Sequence, residues 1–207
     1  ELEPQFGVPL LGIIPLIKRS KRPTVELALL AVDDPRGSFA EAYRSTRTAL
    51  QFSTSDGAPR RLMVTSSVAG EGKSTTALAL AINFAQMGKR VLLVDADMRN
   101  PSLHKALGLQ NDRGLSNYLS GEGTRDSLIR TCAVPNLKVM TAGPMPPSPV
   151  DLLMGPKLLG LLDKAEELGY EQVVMDAPPI LGIADALVLG NQIQSILFVV
   201  KAGATRR

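Results

Sequence analysis

One cysteine, one histidine and no tryptophan occur in 207 residues. With Cys132 alone, an internal disulfide framework is excluded and a reducing compartment is the natural setting. Neither Cys132 nor His104 has a partner nearby in sequence, so a Cys–His nucleophile and a zinc site both lack parts. Cys132 reads instead as a small buried hydrophobe. Aromatic residues are 4% of the chain, too few for base stacking, and the net charge of +3 is not concentrated on any Lys/Arg-rich helix. Nucleic acid is therefore not an expected partner. No run reaches the roughly 18 apolar residues that span a bilayer. The opening Glu1-Leu2-Glu3-Pro4 has no basic stretch leading into an apolar core, and the piece is expected to be soluble.

What is present points to one domain with a substantial core, since 44% of residues are hydrophobic and 21% charged. Residues 62–65, 91–94, 173–175 and 195–200 are continuous apolar runs without alternation, the pattern of strands covered on both faces. They predict an α/β P-loop NTPase fold, a mostly parallel central sheet with helices on both faces. Helical spacing predicts helices over 74–87, with Gly88 as the stop, and over 158–168, ending at Gly169. A third is expected over 38–52, with Ser38 as N-cap and Glu41 completing a capping box. Residues 8–15 read as a short strand on the sheet edge, and 143–149, rich in proline, as a loop. The expected organisation is a segment over 1–37, strand plus basic linker packed on the core, and a nucleotide domain over 38–207. The basic run Lys18-Arg19-Ser20-Lys21-Arg22 fits either a solvated loop or proximity to anionic lipid.

The run at 62–65 leads into Ser66-Ser67-Val68-Ala69-Gly70-Glu71-Gly72-Lys73-Ser74-Thr75 and then a helix, the context of a phosphate-binding loop. Backbone N–H groups of Ala69, Gly70, Glu71, Gly72, Lys73, Ser74 and Thr75 are expected to cradle the phosphates of ATP, with Lys73 as a surface charge aimed at the β- and γ-phosphates. The strict pattern has glycine where this chain has Ser67. Mg²⁺ takes a hydroxyl, phosphate oxygens and water held by carboxylates. Ser74 supplies the hydroxyl, and Asp176, ending an apolar run before Ala177-Pro178-Pro179, is a Walker B acid. A second apolar run ends in Asp95-Ala96-Asp97-Met98-Arg99, placing two carboxylates where open α/β sheets bind ligands. One of them is a candidate proton acceptor and one a candidate holder of metal-bound water.

Three motifs together, the loop at 67–75, D-x-D-x-R at 95–99 and h-h-h-D-x-P-P at 173–179, resemble those of the bacterial tyrosine kinases. A fourth also resembles theirs, Glu41-x-x-Arg44-x-x-Arg47, whose charges share one helix face. The resemblance implies a protein tyrosine kinase with Lys73, Asp95 and Asp97 as catalytic residues, and Ser74, Asp97 and Asp176 around Mg²⁺. It makes Asp95 the candidate base for the acceptor hydroxyl. It further implies a homo-oligomeric ring built through Glu41, Arg44 and Arg47, autophosphorylation on a tyrosine-rich tail of a neighbouring subunit, and a cognate phosphatase. Residues 8–15 resemble the stretch after the second transmembrane helix in members fused to a polysaccharide chain-length regulator. By that resemblance the chain is a cytoplasmic domain at the bacterial inner membrane, partnered with the membrane-embedded part of the same chain in exopolysaccharide or capsule export. The sequence departs from the family in having only Tyr43, Tyr118 and Tyr170, all within expected structure, and in stopping before the family's last helix, strand and tail. Two other readings stand beside this one. A deviant P-loop ATPase switch of the division-site or DNA-partition type carries an extra lysine where this chain has Ser66, Ser67 and Val68. A regulatory module would bind nucleotide and assemble without transferring phosphate.

Overall fold

The computed structural model describes residues 7–17, 24–55, 57–182, 184–193 and 195–203. The basic run at 18–22 lies outside them. The four apolar runs form β1 (Arg61–Ser66), β2 (Val91–Asp95), β5 (Gln172–Asp176) and β6 (Ser195–Val199), and two short strands, β3 (Ile129–Thr131) and β4 (Leu137–Met140), complete the sheet. Its order is β3-β4-β2-β5-β1-β6, with every neighbouring pair parallel except β3 with β4. Alternate residues of each central strand face opposite cores. Leu62, Val64, Leu93 and Val174 enter one apolar cluster, while Met63, Leu92, Val94, Val173 and Met175 enter the other. Each such side chain contributes about 1.5–3 kcal/mol on burial, so unbroken apolar runs are the chemistry that a sheet covered on both sides demands.

The helices are α1 (Leu30–Asp33), which follows a 3-10 turn at Thr24–Leu29, α2 (Ser38–Gln51), α3 (Lys73–Gln86), α4 (Leu103–Ala106), α5 (Leu115–Ser120), α6 (Arg125–Leu128), α7 (Pro149–Met154), α8 (Lys157–Glu167) and α9 (Asp185–Gly190). Helix α3 is buried almost throughout, because the layer formed by the 3-10 turn, α1 and α2 covers the face turned from the sheet. Helices α5, α7 and α8 supply Leu115, Leu119, Leu153, Leu158, Leu161 and Leu162 to the opposite core.

Three expectations change. Residues 7–17 form no strand; they lie on α2, where a Cβ on Gly12 would meet Thr46 Oγ1 at 2.1 Å. The N-cap of α2 is Gly37, with no side-chain cap, so Ser38 is the first helical residue and Glu41 binds Arg44 instead of closing a capping box. Leu27, Ala28 and Ala31 belong to the main core, so this part of the segment before residue 38 packs on the domain. Helices α3 and α8 each begin one residue earlier than their periodicity predicts.

Candidate active site

Strand β1 runs straight into the phosphate loop, and Thr76 N donates to Gly72 O at 2.9 Å as α3 begins. Gly70 (φ +85°) and Gly72 (φ +99°) adopt left-handed backbone, with open space where a Cβ would stand. Only glycine takes that conformation at little cost, and the bare backbone is what lets a phosphate approach. Val68, Ala69 and Gly70 are exposed, whereas the Glu71 side chain is folded inward. Its carboxylate accepts from Ser67 Oγ at 2.7 Å, Val68 N at 2.9 Å and Lys201 N at 3.4 Å. Ser67, the departure from the strict motif, thus anchors the acid that holds the loop in shape.

Lys73 is not the surface charge its motif suggests. It is 7% exposed, and its Nζ donates to Asp97 Oδ2 at 2.6 Å and lies 3.4 Å from Asp176 Oδ1. Burial alone would lower its pKa, but the charges of Asp176 and Asp97 outweigh burial and hold the ammonium above the ordinary lysine value. Asp176 is fully buried at the end of β5; burial raises its pKa, against the opposing pull of Lys73 and of a hydrogen bond from Ser74. One ammonium therefore holds two strand-end carboxylates together, which is the compensation a buried charge requires.

Asp95 ends β2 beside Asp176, in register with it. Its Oδ1 accepts from Asp97 N and its Oδ2 from Ser102 N and Leu103 N, each at 3.2 Å. Burial, then the Asp176 charge, push its pKa well above the usual carboxylate range. Asp97 Oδ1 accepts from Asn100 N at 3.0 Å, which fixes the turn after β2. Arg99, next but one, turns away from the carboxylates and forms a bidentate pair with Asp185, Nε to Oδ2 at 2.8 Å and a terminal nitrogen to Oδ1 at 3.1 Å.

These residues fit Mg·ATP. Asp176 Oδ2 is buried without a hydrogen-bond partner, an acceptor aimed into the site. The donor set of one hydroxyl and hard carboxylates suits Mg²⁺, which fills its shell with water and phosphate. Among the described residues no three His, Cys, Asp or Glu form a group that could hold a metal ion by themselves.

The sequence reading brought Lys73, Ser74, Asp95, Asp97 and Asp176 to one place, and the structure assembles them at the carboxyl ends of β1, β5 and β2. It keeps Glu41, Arg44 and Arg47 apart from this site, on α2, where Arg44 Nε donates to Glu41 at 2.9 Å and a second nitrogen to Pro35 O at 2.5 Å. Arg47 Nε is buried without a partner among the described residues. Sequence reasoning missed the side-chain role of Glu71 and the Arg99–Asp185 pair. Asp185, an acid inside the apolar stretch Ile183-Ala184-Asp185-Ala186-Leu187, was the available signal: it is 1% exposed, and such a charge needs a cation.

Residues 62–204 match the family described as the CobQ/CobB/MinD/ParA nucleotide binding domain. Tyrosine-protein kinase YwqD of Bacillus subtilis is 37% identical over 92% of this chain and 80% of its own length. Tyrosine-protein kinase etk of Escherichia coli is 35% identical over 87% of this chain, but the chain spans only 25% of that longer protein. The kinase domain of Escherichia coli ETK superposes with a TM-score of 0.86 at 32% identity, covering 95% of this chain and 79% of that domain. The chimerical protein CapA2B2 gives 0.85 at 31%, covering 95% and 82%. MinD of Pyrococcus horikoshii, solved with Mg-ADP, gives 0.57 at 23% over 68% and 57%, a likeness of fold alone.

Proposed function

Since the chain belongs to the CobQ/CobB/MinD/ParA nucleotide-binding family and, within it, to the bacterial tyrosine kinases, we propose that it transfers the γ-phosphate of Mg·ATP to tyrosine hydroxyls. The acceptors are tyrosine-rich tails of neighbouring subunits in a homo-oligomeric ring, reversed by a cognate phosphatase. The activity regulates polymerisation and export of an exopolysaccharide or capsule at the cytoplasmic face of the inner membrane, as the resemblance of residues 8–15 and of the four motifs implies. Among the described residues no helix is long and apolar enough to cross a membrane. The membrane-embedded partner is accordingly sought outside them.

The observation that carries this reading is the convergence of Lys73, at the start of α3, Asp97, in the turn after β2, and Asp176, at the end of β5, beside the phosphate loop. Loop amides of residues 69–75 hold the phosphates, and Lys73 exchanges its two carboxylate partners for the β- and γ-phosphates as nucleotide enters. Asp97 and Asp176 are then free to hold the water shell of the metal, with Ser74 as its hydroxyl ligand. Mg²⁺, when bound, neutralises the charge gathering on the transferred group, and a loose transition state asks little of a base. Asp95, the base that the resemblance implies, already accepts three backbone N–H groups. We therefore assign Asp95 to holding the turn, with Asp97 and Asp176 on the metal's water shell and positioning, not a dedicated base, supplying most of the rate.

Transfer of labelled γ-phosphate to a tyrosine-rich peptide tests the reading. Label on tyrosine, lost in Lys73→Met, is the expected result. Phosphate released only to water favours the ATPase switch, and nucleotide held without turnover favours the regulatory module; either outcome sinks the kinase assignment.

A further inference from the structure

The turn after β2 and the loop after β5 carry the two acids that face the metal, and each is fixed at its root. Ala96 N donates to Asp176 O at 2.8 Å, joining the strand ends, and Ile180 N and Leu181 N donate to Ser66 O and Ser67 O at 2.9 and 3.1 Å. Beyond those roots residues 97–102 lead from β2 to α4, and Asp185 opens α9 further along the chain from Asp176. Arg99 and Asp185 reconnect them. The Asp185 carboxylate is 1% exposed and, among the described residues, Arg99 is its side-chain partner, while the guanidinium stays 38% exposed. A bidentate fork fixes angle as well as distance, so this pair ties the turn after β2 to the start of α9.

We propose that Arg99 and Asp185 are positioning residues that set the separation of Asp97 and Asp176 required by the hydrated Mg²⁺. Neither touches nucleotide. Removing Arg99 leaves a buried carboxylate unpaired, which draws the start of α9 toward water and, with it, the segment following Asp176; the turn bearing Asp97 is released at the same time. The cost falls first on the metal, because Glu71 braces the phosphate loop from its own side through Ser67 Oγ and Val68 N. Partners that orient metal-binding groups are typically worth about 10–100-fold in metal affinity.

The inference rests on the Mg·ATP reading and is tested by ATP affinity measured across Mg²⁺ concentrations and in EDTA. Arg99→Ala and Asp185→Asn are each expected to raise the Mg²⁺ concentration for half-maximal effect about tenfold, with Kd for ATP in EDTA within about twofold of the parent. Arg99→Lys, which keeps a cation beside Asp185 and loses the fork, should fall between, and the double variant should be no worse than either single one. An unchanged Mg²⁺ response in Arg99→Lys and Arg99→Ala overturns the proposal, as does equal loss of affinity with and without Mg²⁺. If the alanine and asparagine variants fail to fold, Arg99→Lys decides alone by its Mg²⁺ response. A parent chain whose ATP affinity gains nothing from Mg²⁺ also overturns it. Mg²⁺-enhanced binding without tyrosine labelling fails the kinase reading only, and the variants still judge the clamp.

Discussion

Lys73 joins the proposed phosphate contact and the stability of the fold at a single atom. Its ammonium compensates two buried carboxylates, so Lys73→Met removes the phosphate partner and leaves Asp97 and Asp176 facing each other. Breaking a buried pair from one side costs about 3–5 kcal/mol. The sign with pH follows from Asp95 and Asp176, whose folded pKa values are already raised by burial. A raised carboxyl stabilises the fold while protonated, below its unfolded pKa, and that contribution is lost as pH rises through the folded value. Without Lys73 the window widens, so thermal denaturation in EDTA should show a larger Tm loss for Lys73→Met at pH 8 than at pH 5. Equal losses would mean that the carboxylates do not depend on this lysine. Tyr43 gives a second reading at this scale. Its hydroxyl sits 3.0 Å from Thr76 Oγ1, under the layer that covers α3, and burial pushes its pKa to about 12. Stability is complete below the unfolded value near 10 and lost as pH climbs toward 12, by at most about 2–3 kcal/mol. In Tyr43→Phe the alkaline fall measured by urea unfolding between pH 9 and 11 should flatten; a fall as steep as the parent's would assign it to other groups. The clustering of the candidate site residues was legible because motif spacing dictates where strand ends meet. The burial of Lys73 was not, since it depends on acids 24 and 103 positions away.

Among the elements, legibility tracked burial. Strands β1, β2 and β5 show apolar runs because both faces are covered, and the sequence states that directly. Strands β3 and β4 escaped because they are three and four residues long and broken by Arg130 and Lys138, half-exposed near one edge. The opposite edge, β6, reads as a buried run, yet Ile196 and Phe198 are 51% and 41% exposed. Hydrophobic composition reports what a strand tolerates; the neighbour that covers it is a tertiary fact. Residues 8–15 show the same limit, since Leu11 and Ile14 pack on the core from an irregular chain and not from a strand. The fit against α2 is tight at Gly12, where an added Cβ would stand 2.1 Å from Thr46 Oγ1 and 3.1 Å from its Cβ. That hydroxyl is held by Ala42 O at 2.9 Å and cannot rotate freely aside. Gly12→Ala should therefore lower the urea midpoint, by about 1–3 kcal/mol of overpacking, while ATP affinity stays at the parental level. Parental stability would mean that this segment does not rest on α2.

For the whole molecule, the order β3-β4-β2-β5-β1-β6 collects the candidate nucleotide site at the carboxyl ends of the central strands and leaves α2 on the outer layer. Assembly through α2 would thus join subunits without dismantling any site, as a ring of kinases acting on one another requires. The three charges of the α2 motif are not equivalent for this purpose. Arg44 is committed within its own subunit, to Glu41 and to Pro35 O. Arg47, with a buried Nε lacking a partner among the described residues and a pKa lowered by burial and by the Arg44 charge, would gain most from an acceptor on another chain. A ring interface is head-to-tail, so the acceptor lies on a different surface of the next copy. Light scattering with Mg·ATP should show a larger shift toward monomer for Arg47→Ala than for Arg44→Ala, with ATP affinity retained in both. Arg44→Ala should instead lower stability slightly, by less than about 1 kcal/mol, because its ion pair is exposed. A larger mass shift from Arg44→Ala than from Arg47→Ala would reverse this assignment, and no shift from either would remove α2 from the interface.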